Sequence, residues 1–196
     1  MGEGEAVLHA LRGDCHAHTT WSDGGAPLRD MAETAIAIGH DWMAITDHSA
    51  RLAITHGLSE ERLTRQLDEM TGRMVMAVAN PHADVLGHCP NRKLAGRGRP
   101  PSEFDPEIVF AACAQFDTAV EINCRPERQD PPEDLLGLAV QWECKIAINT
   151  DAHATGQLEW QPYGADKAVR RGVPADDIIN TWSADELLAW PTSHSS

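Results

Sequence analysis

Three short stretches of the chain carry side chains able to hold divalent cations. Asp14-Cys15-His16-Ala17-His18 is followed closely by Asp23, Thr46-Asp47-His48 ends one apolar run, and Thr150-Asp151-Ala152-His153 ends another. On an extended strand, residues i and i+2 face the same side, so His16 and His18 can offer two imidazoles to one ion. A fourth run ends in Gly87-His88. Imidazole and carboxylate groups suit zinc, manganese or iron alike. An isolated His-x-His is a common pattern and weak by itself. Capping or turn duty would explain aspartates at strand ends, since Asp often starts helices, but it would not explain a histidine at each of them.

These residues can meet only if the fold gathers the strand ends. Short Val- and Ile-rich runs predict strands at residues 8–18, 41–48, 83–88, 118–123 and 145–150. Between the first two, residues 27–38 carry Leu28, Met31, Ala32, Ala35 and Ile36 at helical spacing, with Gly39 as the stop. Ser59 caps a helix whose apolar face is Leu63, Leu67, Met70 and Met74. Asp105-Pro106-Glu107 opens another helix, and Asp130-Pro131 a further one containing Leu135, Leu138, Ala139 and Trp142. Ser183-Ala-Asp-Glu186 is a capping box ahead of Leu187, Leu188 and Trp190. Residues 91–101, rich in Arg, Gly and Pro, read as a surface loop. Strands alternating with helices imply an α/β fold with parallel strands, whose C-terminal ends meet on one face.

The 196 residues fit one domain: a lead-in at 1–11, a body at 12–190 and a disordered tail at 191–196. With 16 basic against 30 acidic residues the net charge is −14, which counts against long DNA as a partner. A small phosphorylated substrate or a nucleotide remains compatible if bound cations reverse the local field. No apolar run approaches the ~18 residues of a membrane span, and the acidic start is unlike a signal peptide, so a cytoplasmic protein is expected. Five cysteines, with no C-x-x-C pair, point to reduced thiols rather than a disulfide frame.

Taken together, five segments resemble the PHP (polymerase and histidinol phosphatase) family, most closely the PHP domain of bacterial family X DNA polymerases and its stand-alone relatives. They are Arg12-Gly-Asp-Cys-His-Ala-His-Thr-Thr-Trp-Ser-Asp-Gly24, Ala44-Ile-Thr-Asp-His-Ser49, Asn80-Pro-His-Ala-Asp-Val-Leu-Gly-His88, Val120-Glu-Ile-Asn123 and Asn149-Thr-Asp-Ala-His153, in family order. The resemblance implies a distorted (β/α)7-type barrel with up to three divalent cations at its C-terminal face. It also implies hydrolysis of a phosphate monoester, nucleotide or 3′-end phosphodiester through a metal-bound hydroxide. On this likeness His16, His18 and Asp151 hold a first metal, His88 belongs to a second, and Asp23, His48 and His153 hold a third.

The sequence also departs from the family pattern. Two βα units, on the order of sixty residues, are missing between the Thr-Asp-His and Gly-His strands, with the join near residues 70–71. Their Gly-x-Glu and Ser-x-His motifs, which carry a bridging carboxylate and a ligand of the second metal, are absent. One or two cation sites are therefore expected, because the second keeps only His88. Glu69, Glu121, His56 and His82 are the available replacements; Glu121 otherwise orients a ligand or a water, or is equally a buried, hydrogen-bonded structural residue. Arg51, Arg92 and Arg125 follow ligand-bearing strands and are candidates for clamping phosphate. Two readings follow: a metal-dependent phosphoesterase, or a catalytically impaired remnant that binds metal as a structural or interaction module. A metal-dependent amidohydrolase also begins with His-x-His, but fits the paired Thr-Asp strand ends less well.

Overall fold

In the computed structural model, which describes residues 3–48, 70–94 and 101–193, short strands alternate with helices. Helix α1 (Glu3–Ala10) leads into β1 (Gly13–Ala17), α2 (Leu28–Ala37) and β2 (Trp42–Ile45). Residues 70–78 are helical (α3) and precede β3 (Val85–Leu86), α4 (Pro106–Gln115), β4 (Ala119–Asn123), α5 (Glu133–Gln141) and β5 (Ile146–Asn149). A 3-10 turn at Thr155–Trp160, α6 (Gln161–Arg170), two shorter 3-10 turns and α7 (Ala184–Ser193) complete the order.

The period of two along each strand separates core from site. In β4, Val120 and Ile122 face outward into the main core with Val109, Phe110, Leu136, Ile146 and Ile148. Ala119 faces the other way, where it joins Ala147, Ile179 and Trp190 in a second cluster. Glu121 and Asn123 share its side of the strand and lie nearer the C-terminal end. The small inner residues leave room for Trp190 and Trp182, whose rings meet edge to face at 5.5 Å. Helix α6 packs so closely on the sheet that a Cβ at Gly164 would come 2.5 Å from Cys124 Sγ and 2.6 Å from Ile148 Cγ2.

All strand pairings are parallel: β1 with β2, and β4 with both β3 and β5. The two sheets meet where Ala17 bridges Ala152. Along this seam side chains replace ladder bonds. The Asn180 amide donates to Gly13 O at 3.1 Å and Ile148 O at 3.0 Å, and its Oδ1 accepts from Ile148 N at 2.6 Å. Gln161 Nε2 likewise donates to Gly13 O and Ile148 O, while Asp14 accepts from Thr150 N at 3.0 Å. Together these bonds satisfy backbone groups of Gly13, Ile148 and Thr150 along the seam.

Among the described residues β2 and β3 do not pair, so the barrel is not closed. The α/β class and parallel strands agree with the sequence reading of a barrel short of about two βα units. Two local expectations are corrected. Residues 8–18 do not form one strand: 3–10 are helical, with Glu3 and Glu5 in the first turn, His9 in the last, and Val7 and Leu8 packed on the core. Asp130 does not open α5; Pro132 takes the N-cap position and Glu133 and Asp134 form the acidic first turn. Asp130 is instead buried, with its carbonyl accepting from Asn123 N.

The other caps behave as read. Asp105 accepts from Ile108 N, and Ser183 and Glu186 cap reciprocally. The Ser59 helix start lies outside the described residues. Helix α7 runs on to Ser193, three residues into the segment expected to be disordered.

Candidate metal centre

The C-terminal ends of β1, β2, β3 and β5 bring seven sequence-predicted residues into two adjoining groups: His18, Asp23, His48 and His153, and His16, His88 and Asp151. Within each group the potential ligand atoms lie within 4.8 Å of one another. The groups touch. His16 Nε2 is 3.0 Å from His18 Nε2, and Asp151 Oδ1 is 3.5 Å and 3.3 Å from those two nitrogens. On the outer side, Asp23 Oδ2 is 3.6 Å from His48 Nε2 and 3.4 Å from His153 Nε2.

These spacings fit a cation. Four ligands at 2.0–2.2 Å in tetrahedral geometry stand ~3.3 Å apart, and the three atoms around His16, His18 and Asp151 match that separation. His18 Nδ1 adds a second sign: it is buried, makes no hydrogen bond, and lies 3.8 Å from Asp23 Oδ1. A buried polar nitrogen without a partner is costly unless a ligand completes it.

Each ligand is aimed by a neighbour. Glu121, fully buried, takes a hydrogen bond from His16 Nδ1 at 2.6 Å, which leaves Nε2 directed at the centre. Burial alone would lower the His16 pKa, but the Glu121 carboxylate outweighs it and lifts it to about 9. Burial works upward on Glu121, and His16 and His88 overcome it, holding it down at about 2. Burial pulls His88 down to about 4. For Asp151, burial is again outweighed, here by the hydrogen bond to His18 and by the charges of His16 and His88, and its pKa falls.

At His153, Nδ1 lies 2.8 Å from both Asp151 O and Arg125 Nη1, and Nε2 faces Asp23. Asp47, not assigned a role from sequence, ties the loop before Asp23. It accepts from Thr19 N at 2.7 Å, Thr19 Oγ1 at 2.6 Å and Ser22 Oγ at 2.6 Å. Two of the seven residues also sit in the left-handed region, His88 at φ 54° and Asp151 at φ 53°. Such backbone costs of order 1 kcal/mol and is concentrated at functional sites, where it re-aims a side chain at a strand end.

The arginines divide. Arg125 reaches the centre: Nη1 donates to Asp151 O at 3.2 Å, and its guanidinium lies over the Trp160 ring. Arg92 donates to Arg128 O and Gln129 O and lies 3.4 Å from Asp130. Arg51, His56 and Glu69 lie outside the described residues, and His82 is exposed and belongs to neither group. Sequence reasoning missed Arg128, whose Nε is 3.2 Å from Asp151 Oδ2. It stands in an aperiodic loop with Arg125, and nothing in the spacing separates the two.

This constellation, with His and Asp at the ends of parallel strands, defines an α/β scaffold built to gather imidazoles and carboxylates. Residues 14–70 match the PHP domain family model, so the resemblance read from the motifs is shown. A DNA polymerase/3′-5′ exonuclease PolX of Bacillus subtilis is 27% identical, over 93% of this chain and 41% of that protein. The alignment runs over 237 positions and takes in 93% of 196 residues, so about 55 positions of the relative have no counterpart here. A probable phosphatase of Clostridium botulinum is 23% identical over 58% of this chain and 46% of that protein. The chain thus spans less than half the length of these curated relatives. Among solved structures, a histidinol phosphate phosphatase from Lactococcus lactis, complexed with zinc, L-histidinol and phosphate, shares the fold. Its TM-score is 0.50 at 13% identity, covering 83% of this chain and 94% of that one.

Proposed function

We propose that this chain is a metal-dependent phosphoesterase acting on a phosphate monoester, a nucleotide or a 3′-end phosphodiester. The observation that carries the reading is the approach of His16 Nε2, His18 Nε2 and Asp151 Oδ1 to 3.0–3.5 Å, with Asp151 over a hundred residues along the chain from the two histidines. His16, His18 and Asp151 would hold one cation, and Asp23, His48 and His153 a second. When bound, zinc, manganese or iron supplies a Lewis acid that lowers the pKa of water and offsets charge on phosphoryl oxygens. Glu121 fixes the direction of His16, Arg125 and the Asp151 carbonyl hold His153 at Nδ1, and Asp47 holds the loop that presents Asp23. The phosphatase and exonuclease names of the relatives support this substrate class, as does the family match. The lack of pairing between β2 and β3 among the described residues and the missing alignment positions support descent from a longer (β/α)7 barrel by loss of about two units.

A second reading, an impaired remnant that binds metal without turnover, is favoured by one observation. Both Glu121 oxygens are already committed, Oε1 to His16 and Oε2 to His88 N at 2.8 Å, so Glu121 does not replace the missing bridging carboxylate. Hydrolysis of p-nitrophenyl phosphate after reconstitution with Zn or Mn separates the two. Turnover lost in His18→Ala and Asp151→Asn supports the enzyme. Metal retained with no turnover supports the remnant.

A further inference from the structure

We infer that Arg128 holds the place of a cation on the His88 side of the centre and meets the substrate's phosphoryl group there; this rests on the phosphoesterase reading. The two oxygens of Asp151 face different groups. Oδ1 points at His16 and His18, whereas Oδ2 is 3.2 Å from Arg128 Nε, 3.2 Å from Asn123 Nδ2 and 3.9 Å from His88 Nδ1. A cation shared by His88 and Asp151 Oδ2 would meet the guanidinium already seated on that oxygen. The other carboxylate nearby is no substitute, because Glu121 Oε2 accepts from His88 N and Asn123 Nδ2.

Charge on this side therefore comes from a group that never deprotonates. Its placement is fixed from two directions: Nε on Asp151, and Nη1 donating to Asn91 Oδ1 at 3.0 Å. Nη2 makes no hydrogen bond to any described residue, and the side chain is about one quarter exposed. Both N–H bonds of Nη2 and one of Nη1 remain on this positioned guanidinium to meet an oxyanion beside His88, the chemistry Arg supplies best. A chain that has lost the donors for a further metal thus keeps a positive charge where that metal would lie.

The test counts cations and measures phosphate binding, neither of which requires turnover. Wild type, Arg128→Ala and Arg128→Lys are dialysed against Zn or Mn, the metal per chain is read by mass spectrometry, and inorganic phosphate is titrated calorimetrically. We expect wild type to saturate at no more than two cations. Arg128→Ala should keep that count and bind phosphate at least tenfold more weakly, with Arg128→Lys between the two. A third tightly bound cation in wild type, or phosphate affinity within twofold in Arg128→Ala, overturns the inference and leaves the phosphoesterase reading standing. The cation count needs no variant, so it decides even if Arg128→Ala fails to fold. No bound cation at all overturns both.

Discussion

His16 Nδ1 lies 2.6 Å from Glu121 Oε1, across 105 residues of sequence, and both groups are shielded from water. A charge-assisted bond this short, in a low-dielectric setting, fixes which imidazole nitrogen is left to act. Glu121→Gln keeps the shape and removes the charge. We predict a 10–100-fold loss of metal affinity with little loss of fold, measured by chelator competition and by circular dichroism. Unchanged affinity would mean that Glu121 only fills space.

The same pair predicts a pH dependence. The folded, metal-free chain holds a proton on His16 up to about 9, although burial by itself would favour the neutral ring. A cation must displace that proton, so apparent affinity should climb about tenfold per pH unit from 7 towards 9 and then level off. In Glu121→Gln the break should move down, towards the ordinary histidine range. A flat profile between pH 7 and 9 would contradict the protonated His16.

Asp130 supplies a prediction away from the centre. Its carboxylate is buried and faces Arg92 Nε at 3.4 Å; burial raises its pKa to about 6 despite that partner. An acid with a raised folded pKa binds protons more readily in the native state, so it lowers stability as pH rises from about 4 to 6 and holds that penalty above. Asp130→Asn should stabilise the protein by about 1–2 kcal/mol at pH 8 and give no gain at pH 4. Denaturant midpoints at the two pH values check it, and an equal effect at both would exclude the titration.

Gly164 marks the closest approach of α6 to the sheet. Adding a methyl there drives it against Cys124 and Ile148, both buried, so Gly164→Ala should cost about 1–3 kcal/mol and lower the Tm by several degrees. A Tm equal to wild type would show that the helix can shift away freely.

How far the sequence led follows from these same residues. His16 and His18 declare themselves because a strand has a period of two, and His48, His88, Asp151 and His153 because each ends an apolar run. Glu121 and Asn123 were placeable on one side of β4 for the same reason. Arg128 was not, since its loop has no period and its neighbour Arg125 looks identical. Asn180 was equally hidden: its amide joins β1 to β5 in place of a backbone ladder, which no propensity encodes. The left-handed backbone at His88 and Asp151 is also a tertiary outcome, set where each strand end must turn its side chain inward. Residues 8–10 end a helix rather than begin a strand because Val7 and Leu8 pack on the core from α1, a tertiary contact that a short apolar run does not encode.

The account rests on side chains from distant parts of the chain sharing cations at one rim. Metal per chain, measured by mass spectrometry after reconstitution and dialysis, tests this most directly in wild type, His18→Ala and Asp151→Asn. We predict one to two equivalents of Zn or Mn in wild type and at least one fewer in each variant. Metal content equal in all three, or none retained by wild type, would contradict it.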